Sequence, residues 1–167
     1  MTVLSVDGLN FTFPAGWRVS KYDEWAFYRN QFGRAKSGLK AVDLLAAQGP
    51  EAWLIEVKDY RRAVRTKVIS IDEEVAAKVV DTLACLFPAK VNANVSEERE
   101  FAAEILGKRK IRVVLHLEQP IKHSRLFPRA IDPASVLLKL RVRLHAIDPH
   151  PLVVERLNMR GLGWAVA

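Results

Sequence analysis

Short apolar runs with strand-like patterns occur at several places along the chain. Leu9–Phe13 alternates apolar and polar residues and stops before Pro14, which predicts a short strand. Residues 39–46 and 52–58 are mostly apolar, and the residues 48–51 that join them have a Gly-Pro centre typical of a turn. The two runs are therefore predicted to form a β-hairpin.

Helix signals surround this hairpin. Ser20 followed by Asp23 resembles a helix start and Gly33 a helix stop, so a first helix is predicted over residues 20–32. The capping box that runs from Ser70 to Glu73 predicts the start of a second helix, which Pro88 is expected to end. The apolar stripe predicted for this second helix is Ala76, Val79, Val80, Leu83 and Phe87.

The second half of the chain has the same mixed character. A helix is predicted over residues 96–106, and β-rich runs at 111–117 and 152–157 predict strands. Residues 138–145 alternate as a strand would, whereas Asp132-Pro133 is a helix start, and we favour the helix because of that start and its length. The resulting order β-α-β-β-α-α-β-α-β predicts an α/β fold, with a central mixed β-sheet flanked by helices. We expect a single domain over residues 1–167, because repeats and Gly/Ser-rich linkers are absent from the sequence.

The hairpin carries the polar residues of greatest interest. A two- or four-residue loop centred between Gly49 and Pro50 places Asp43 opposite Glu56, with their Cβ atoms about 4.5 to 5.5 Å apart. Lys58 projects to the same face, because side chains two residues apart on a strand share a face. The pattern therefore predicts a polar site at the edge of an otherwise apolar hairpin.

Two facing carboxylates repel each other unless a positive charge lies near them. Mg²⁺ (or Mn²⁺) is predicted to supply that charge, with Asp43, Glu56 and the carbonyl of Val57 as metal ligands. Lys58 is then placed to orient or deprotonate a water molecule, which suits phosphodiester hydrolysis. The alternative is a solvated ion pair on an edge strand, with no chemistry attached.

Asp43, twelve intervening residues and then Glu56-Val-Lys58 on a hairpin resemble the PD-(D/E)xK superfamily, the restriction-endonuclease-like nucleases. The resemblance covers about 20 residues, with Val42 where proline often precedes the aspartate. It implies a restriction-endonuclease-like core of order α-β-β-β-α-β, one strand of which is hard to place in this sequence. It also implies that Asp43, Glu56 and Lys58 are catalytic, with the two carboxylates binding Mg²⁺. Some relatives add a carboxylate from the preceding helix, for which Glu24 is the candidate, although its position also suits the helix dipole.

The distribution of charge predicts a nucleic-acid partner, DNA in the first instance. The chain has a net charge of +7, and residues 108–145 hold ten Lys and Arg residues against two acidic residues. Such a local surplus is typical of a surface that binds phosphates, although many basic proteins use their charge only for solubility. The predicted nucleic-acid contacts are Arg61, Arg62, Arg65, Lys108, Arg109, Lys110, Arg141 and Arg143.

Other side chains are given no role in chemistry. Lys78 lies opposite the predicted apolar stripe, so a solvated lysine is expected there. Cys85 is expected to be a small core residue, and the four histidines, His116, His123, His145 and His150, lack metal-ligand spacing.

The sequence thus favours a Mg²⁺-dependent nuclease that hydrolyses DNA in repair, recombination or anti-phage defence. The alternatives are an inactive nucleic-acid-binding or protein-interaction module with the same fold, or a small subunit that is active only beside partners. A homodimer or larger complex is compatible with two-strand cleavage. No membrane partner is expected, because no run reaches the roughly 20 apolar residues of a membrane span. A cytoplasmic location is expected, because the N-terminus lacks a secretory signal.

Overall fold

Two β-sheets organise the computed structural model, which describes residues 1–122, 124–126 and 128–167. The smaller sheet is antiparallel and has three strands in the order β1-β2-β8. Its strands are β1 (Thr2–Val6), β2 (Leu9–Phe13) and β8 (Ala165–Val166). The larger sheet has five strands in the order β3-β4-β5-β6-β7. Its strands are β3 (Arg18–Lys21), β4 (Leu44–Gln48), β5 (Glu51–Asp59), β6 (Lys110–Glu118) and β7 (Leu152–Val154).

The larger sheet is mixed. β3, β4 and β5 form an antiparallel meander, and β6 and β7 are then added parallel to β5. Four α-helices accompany the two sheets: α1 (Ala26–Asn30), α2 (Ile71–Asn92), α3 (Ser96–Leu106) and α4 (Pro133–Arg143). Single 3-10 turns lie at Tyr22–Glu24 and Phe32–Arg34. The prediction of an α/β protein with a mixed sheet and helices is confirmed.

Both faces of the larger sheet are buried. On β5, Leu54 faces a core that the helices complete, whereas Ile55 and Val57 face a second core completed by the smaller sheet. Side chains alternate between the two faces of a strand, so Glu56 and Lys58 share the helix side with Leu54. The prediction of one domain over residues 1–167 stays a prediction, although both cores are built on the same sheet.

The β4–β5 hairpin has the predicted register. Leu44 pairs with Ile55 and Gln48 with Glu51, which leaves Gly49-Pro50 as a two-residue loop. Gly49 has a positive φ of 50°, a conformation that glycine adopts at little cost. The carbonyl of Pro50 accepts hydrogen bonds from the backbone N–H groups of Arg109 (2.9 Å) and Lys110 (3.2 Å), so the loop is tied to the start of β6.

The segment predicted as the first helix is mostly not helical in the structure. Residues Arg18–Lys21 pair with β4 as strand β3, and the Ser20 hydroxyl accepts a hydrogen bond from the Trp25 indole N–H at 2.8 Å. Ser20 therefore does not cap a helix, and the helical segment is reduced to the 3-10 turn and the five residues of α1. Strands β1, β3 and β8 are not predicted from the sequence.

Helix α2 differs from its prediction in length and in the face that it buries. It continues through Pro88 to Asn92, because Leu86 and Ala89 are fully buried in the core and that burial outweighs the lost backbone hydrogen bond. Val80 and Phe87, assigned to the apolar stripe, are 53% and 66% exposed. The buried face consists instead of Ile71, Asp72, Glu74, Val75, Val79, Thr82, Cys85, Leu86 and Ala89.

The later elements agree better with the sequence. Residues 133–143 form the favoured helix, and the Asp132 carboxylate caps it by accepting from the N–H groups of Ala134 and Ser135, each at 3.1 Å. Helix α3 and strand β6 lie as predicted, whereas β7 is only three residues long. None of the helices in the described ranges is long and apolar enough to cross a membrane.

Asp148 fixes the loop between α4 and β7 to the sheet. Its carboxylate, 1% exposed, accepts from the N–H of Val113 at 2.8 Å and from that of His150 at 2.9 Å. We expect Asp148→Ala to lower the free energy of unfolding by about 1–3 kcal/mol, because a buried N–H loses its acceptor. Urea denaturation measures this change, with the exposed Glu100→Ala as the control, expected within about 0.5 kcal/mol of the wild type. Equal losses in the two variants would contradict this role of Asp148.

Candidate functional site

The hairpin and α2 bring the predicted site residues together. Asp43 directly precedes β4, one step beyond the Leu44–Ile55 pair, and so lies beside Glu56 near the end of β5. Helix α2 begins after the loop that follows β5, and its second turn directs Lys78 toward both carboxylates. The Lys78 ammonium lies 2.6 Å from Oε1 of Glu56 and 3.7 Å from Oδ1 of Asp43. The Lys78 ammonium therefore contacts both carboxylates and partly neutralises their charges.

Glu56 is fully buried beneath this cation. Its Oε1 also lies 2.7 Å from the Lys58 ammonium, so two ammonium groups converge on one oxygen. Burial, followed by repulsion from Asp43, raises the pKa of Glu56 to about 7, and the attraction of Lys78 and Lys58 offsets this only in part. The side chain thus titrates close to neutrality.

Asp43 is held by the backbone of the neighbouring strand. Its Oδ2 accepts a hydrogen bond from the N–H of Val57 at 2.6 Å, which leaves Oδ1 directed to Lys78. Val57 therefore contacts Asp43 through its N–H group. The predicted role of the Val57 carbonyl as a metal ligand stays a prediction.

Glu74 on α2 is the third acid of the cluster. Its carboxylate contacts the cations of Lys58 (3.1 Å), Arg65 (2.8 Å) and Lys67. Burial alone would raise the pKa of Glu74, but the hydrogen bonds from Lys67 and Arg65 and the charge of Lys58 lower it to about 2. Glu74 is therefore ionised at neutral pH.

Lys58 lies between Glu56 and Glu74. Burial favours its neutral form, but the charges of these two acids and their hydrogen bonds prevail and raise the pKa of Lys58 above its usual value. An amine held as an ammonium ion accepts no proton at neutral pH. The predicted catalytic roles of Lys58 stay predictions.

A cleft of about 290 Å³ opens over the outer half of the cluster. Asp43, Glu74 and Lys78 line it, whereas Glu56 and Lys58 lie beneath its surface. Asp23 also lines the cleft, and burial followed by repulsion from Asp43 raises the pKa of Asp23. The predicted additional carboxylate, Glu24, is exposed elsewhere and pairs with Lys21 at 2.9 Å.

The cluster as arranged does not fit the predicted Mg²⁺ or Mn²⁺. The Lys78 ammonium already contacts Oδ1 of Asp43 and Oε1 of Glu56, so a divalent ion bridging these two oxygens would have to displace it. No group of three or more His, Cys, Asp or Glu residues in the described ranges is arranged to hold a metal. The prediction of Mg²⁺ or Mn²⁺ as a cofactor stays a prediction.

Lys78, Glu74 and Asp23 were missed as members of the cluster. Lys78 is predicted in solvent because the predicted stripe of α2 is centred too far toward the exposed Val80 and Phe87. The buried face extends to Val75 and Val79 and brings the Lys78 side chain to 15% exposure. The signal in the sequence was Glu74 four residues before Lys78, which puts both on one side of the helix.

The predicted nucleic-acid contacts form no single patch. Five of the eight have a carboxylate partner: Arg61 with Asp59, Arg65 with Glu74, Lys108 with Glu104, Lys110 with Glu51, and Arg143 with Asp72. Arg62, Arg109 and Arg141 are exposed and have no salt bridge to any described residue. Arg109 lies at the Gly49-Pro50 loop, before the start of β5, and Arg62 lies beyond the end of β5. The strand between them covers eight residue steps, a length of roughly 26 Å.

One histidine is part of a separate polar pair. His116 is fully buried on the other face of the sheet, and its Nε2 lies 3.0 Å from Oε1 of Glu118. Burial lowers the pKa of His116, although the charge of Glu118 opposes this. His123 lies outside the described residues.

Comparison with known proteins gives one informative similarity. The chain is 34% identical over 167 positions to a protein named cysteine–tRNA ligase from Neisseria meningitidis serogroup A / serotype 4A (strain DSM 15465 / Z2491). The match covers 82% of this chain but only 24% of the ligase. No family model matches the chain, and neither does any solved structure.

This similarity overturns the predicted function. A DNA nuclease, and with it the classification as a hydrolase, was inferred from Asp43, Glu56 and Lys58, but the curated relative is a ligase for tRNA. In the structure the two carboxylates of this motif share the Lys78 ammonium. The nuclease prediction is therefore wrong.

The low pKa of Glu74 predicts loss of stability in acid. A carboxyl whose pKa is lower in the folded than in the unfolded state stabilises the fold above the unfolded value, and this stability disappears as the pH falls from about 4.5 to about 2. The loss should be on the order of 3 kcal/mol, and Glu74→Gln should lack it. Urea denaturation across this range tests the prediction. The matched control is Glu73→Gln, an exposed neighbour, which should follow the wild type.

Glu56 should have the opposite pH dependence. Its pKa is raised on folding, so its contribution to stability is present below about pH 4.5 and is lost as the pH rises through about 7. We expect the stability of the wild type relative to Glu56→Gln to fall across this interval. Denaturation midpoints of both proteins measure the difference, and parallel curves between pH 4.5 and 7 would contradict the raised pKa.

Proposed function

We propose that this chain is an RNA-binding module that recognises tRNA. The observation that carries the proposal is the 34% identity, over 82% of the chain, to a protein named cysteine–tRNA ligase. Because the chain spans about a quarter of that relative, the proposal concerns binding and not the ligase reaction.

The charges of the described residues support an anionic partner. The net charge is +7, and Arg62, Arg109 and Arg141 are exposed and form no salt bridge with any described residue. An exposed guanidinium outside any salt bridge can pair with phosphate without breaking one. These three arginines are the proposed phosphate contacts.

The positions of these arginines favour a large ligand. Arg109 and Arg62 lie near opposite ends of β5, whose length is roughly 26 Å, a distance that a mononucleotide does not span. A folded RNA presents phosphates over such distances, and it is recognised mainly through its shape and backbone. We therefore expect tRNA to bind much more tightly than a mononucleotide.

The scaffold proposed for this binding is a restriction-endonuclease-like core. Its support is the element order, in which the antiparallel strands β3, β4 and β5 are followed by the helices α2 and α3 and then by β6 parallel to β5. One departure is that α1 lies between β3 and β4 instead of before the first strand. In this proposal the fold supplies a rigid surface for RNA and does not cleave it.

Fluorescence anisotropy with a labelled tRNA tests the proposal. The logarithm of the binding constant should fall linearly with the logarithm of the salt concentration. Arg62→Ala, Arg109→Ala and Arg141→Ala should each weaken binding and reduce the magnitude of this slope by about 0.7–0.9. The matched controls are Arg61→Ala and Lys108→Ala, which remove neighbouring cations that already have protein partners and should have smaller effects.

A DNA duplex of similar length and a mononucleotide complete the experiment. Preference for tRNA over both supports the proposal. No binding of tRNA at low salt, or arginine variants that match their controls, would reject it.

A further inference from the structure

Around Glu56, cationic side chains outnumber the carboxylates without an added metal ion. Three carboxylates, those of Asp43, Glu56 and Glu74, contact four cations. These cations are Lys58, Lys78, Arg65 and Lys67. A divalent ion added to this group would increase the positive surplus. The electrostatic demand that favours a metal beside two facing carboxylates is already met by side chains.

Lys78 lies where a bridging cation would be most effective. Its ammonium contacts the free oxygen of Asp43, Oδ1, because Oδ2 is occupied by the N–H of Val57. It also lies 2.6 Å from Oε1 of Glu56, a side chain that is fully buried and whose Oε2 has no hydrogen-bond partner among the described residues. The same ammonium borders the cleft, so an ion in its place could be reached from solvent.

We propose that Lys78 is a built-in cation that occupies the position of a divalent metal ion between Asp43 and Glu56, and that it excludes such an ion from the wild-type protein. Removing the ammonium would leave two facing carboxylates with one oxygen from each directed to a common point. Lys58 would not fully replace it, because Lys58 is shared with Glu74 at 3.1 Å. The vacated position would then suit Mg²⁺ or Mn²⁺, which one or two carboxylates and several waters commonly hold.

Direct binding of Mn²⁺ tests this proposal without any assay of activity. Free Mn²⁺ is measured by electron paramagnetic resonance during titration of the wild type, Lys78→Ala and Lys78→Arg. We expect at least tenfold tighter binding by Lys78→Ala than by the wild type, and no gain in Lys78→Arg, which keeps a cation. The double variant Lys78→Ala/Asp43→Asn should lose the gained site.

Lys78→Ala can be unstable without metal, because it leaves Asp43 and Glu56 facing each other. It is therefore refolded with and without Mn²⁺, and a thermal midpoint that rises with Mn²⁺ only in this variant supports the proposal. Lys78→Gln, whose uncharged side chain is one heavy atom shorter than that of lysine, is a second variant with the same expected gain.

Two results would overturn the proposal. One is a wild-type protein that binds Mn²⁺ as tightly as the Lys78 variants do and loses this binding in Asp43→Asn. The other is folded Lys78→Ala or Lys78→Gln protein that binds Mn²⁺ no better than the wild type. Neither result depends on RNA binding, so the two proposals stand or fall separately.

Discussion

The register of the β4–β5 hairpin forces Asp43 and Glu56 together, and the site depends on how their repulsion is relieved. The Lys78 ammonium, delivered by helix α2, lies within 4 Å of both carboxylates. This contact joins two elements that are also held together by the apolar core beneath it, with Leu54 on the strand and Val75 on the helix. Burying a charge without a partner is costly, so the position of α2 and the charge state of the hairpin depend on each other.

The same contact explains how a nuclease-like pattern occurs without the chemistry that it implies. A catalytic carboxylate pair needs oxygens that are free to hold a metal, and a general base needs a neutral form within reach. Here one oxygen of each carboxylate, Oδ1 of Asp43 and Oε1 of Glu56, is directed to Lys78, and Lys58 lies between two acids that favour its charge. These contacts join a strand to a helix, whereas the candidate binding residues lie on the surface.

Much of the fold could be predicted because its signals are local. The turn at Gly49-Pro50 determined the register of the hairpin, and Asp132 with Pro133 correctly decided between a helix and a strand. Strand β3 could not be predicted, since it is a strand only through its pairing with β4, and the Ser20 hydroxyl that resembles a helix cap is used by Trp25. Such long-range pairing is not encoded in local periodicity.

The site was only half predictable for a related reason. Asp43 and Glu56 lie on adjacent strands of one hairpin, so simple geometry finds them. Lys78 comes from a helix whose apolar residues do not define one stripe, and its direction is decided by which face the sheet buries. Whether a charged residue is solvent-exposed or neutralises a buried pair therefore depends on the rotation of one helix.

The parallel pairing of β5 with β6 has a consequence for how the chain folds. Glu51 pairs with Lys110, and all the residues between β5 and β6, including α2 and α3, separate the two strands in sequence. The β4–β5 hairpin can form early from local contacts, but the outer edge of β5 stays open until β6 arrives from far along the chain. That edge belongs to a strand that is buried on both faces from Ala52 to Val57, so an incomplete chain exposes a surface prone to pairing with other chains.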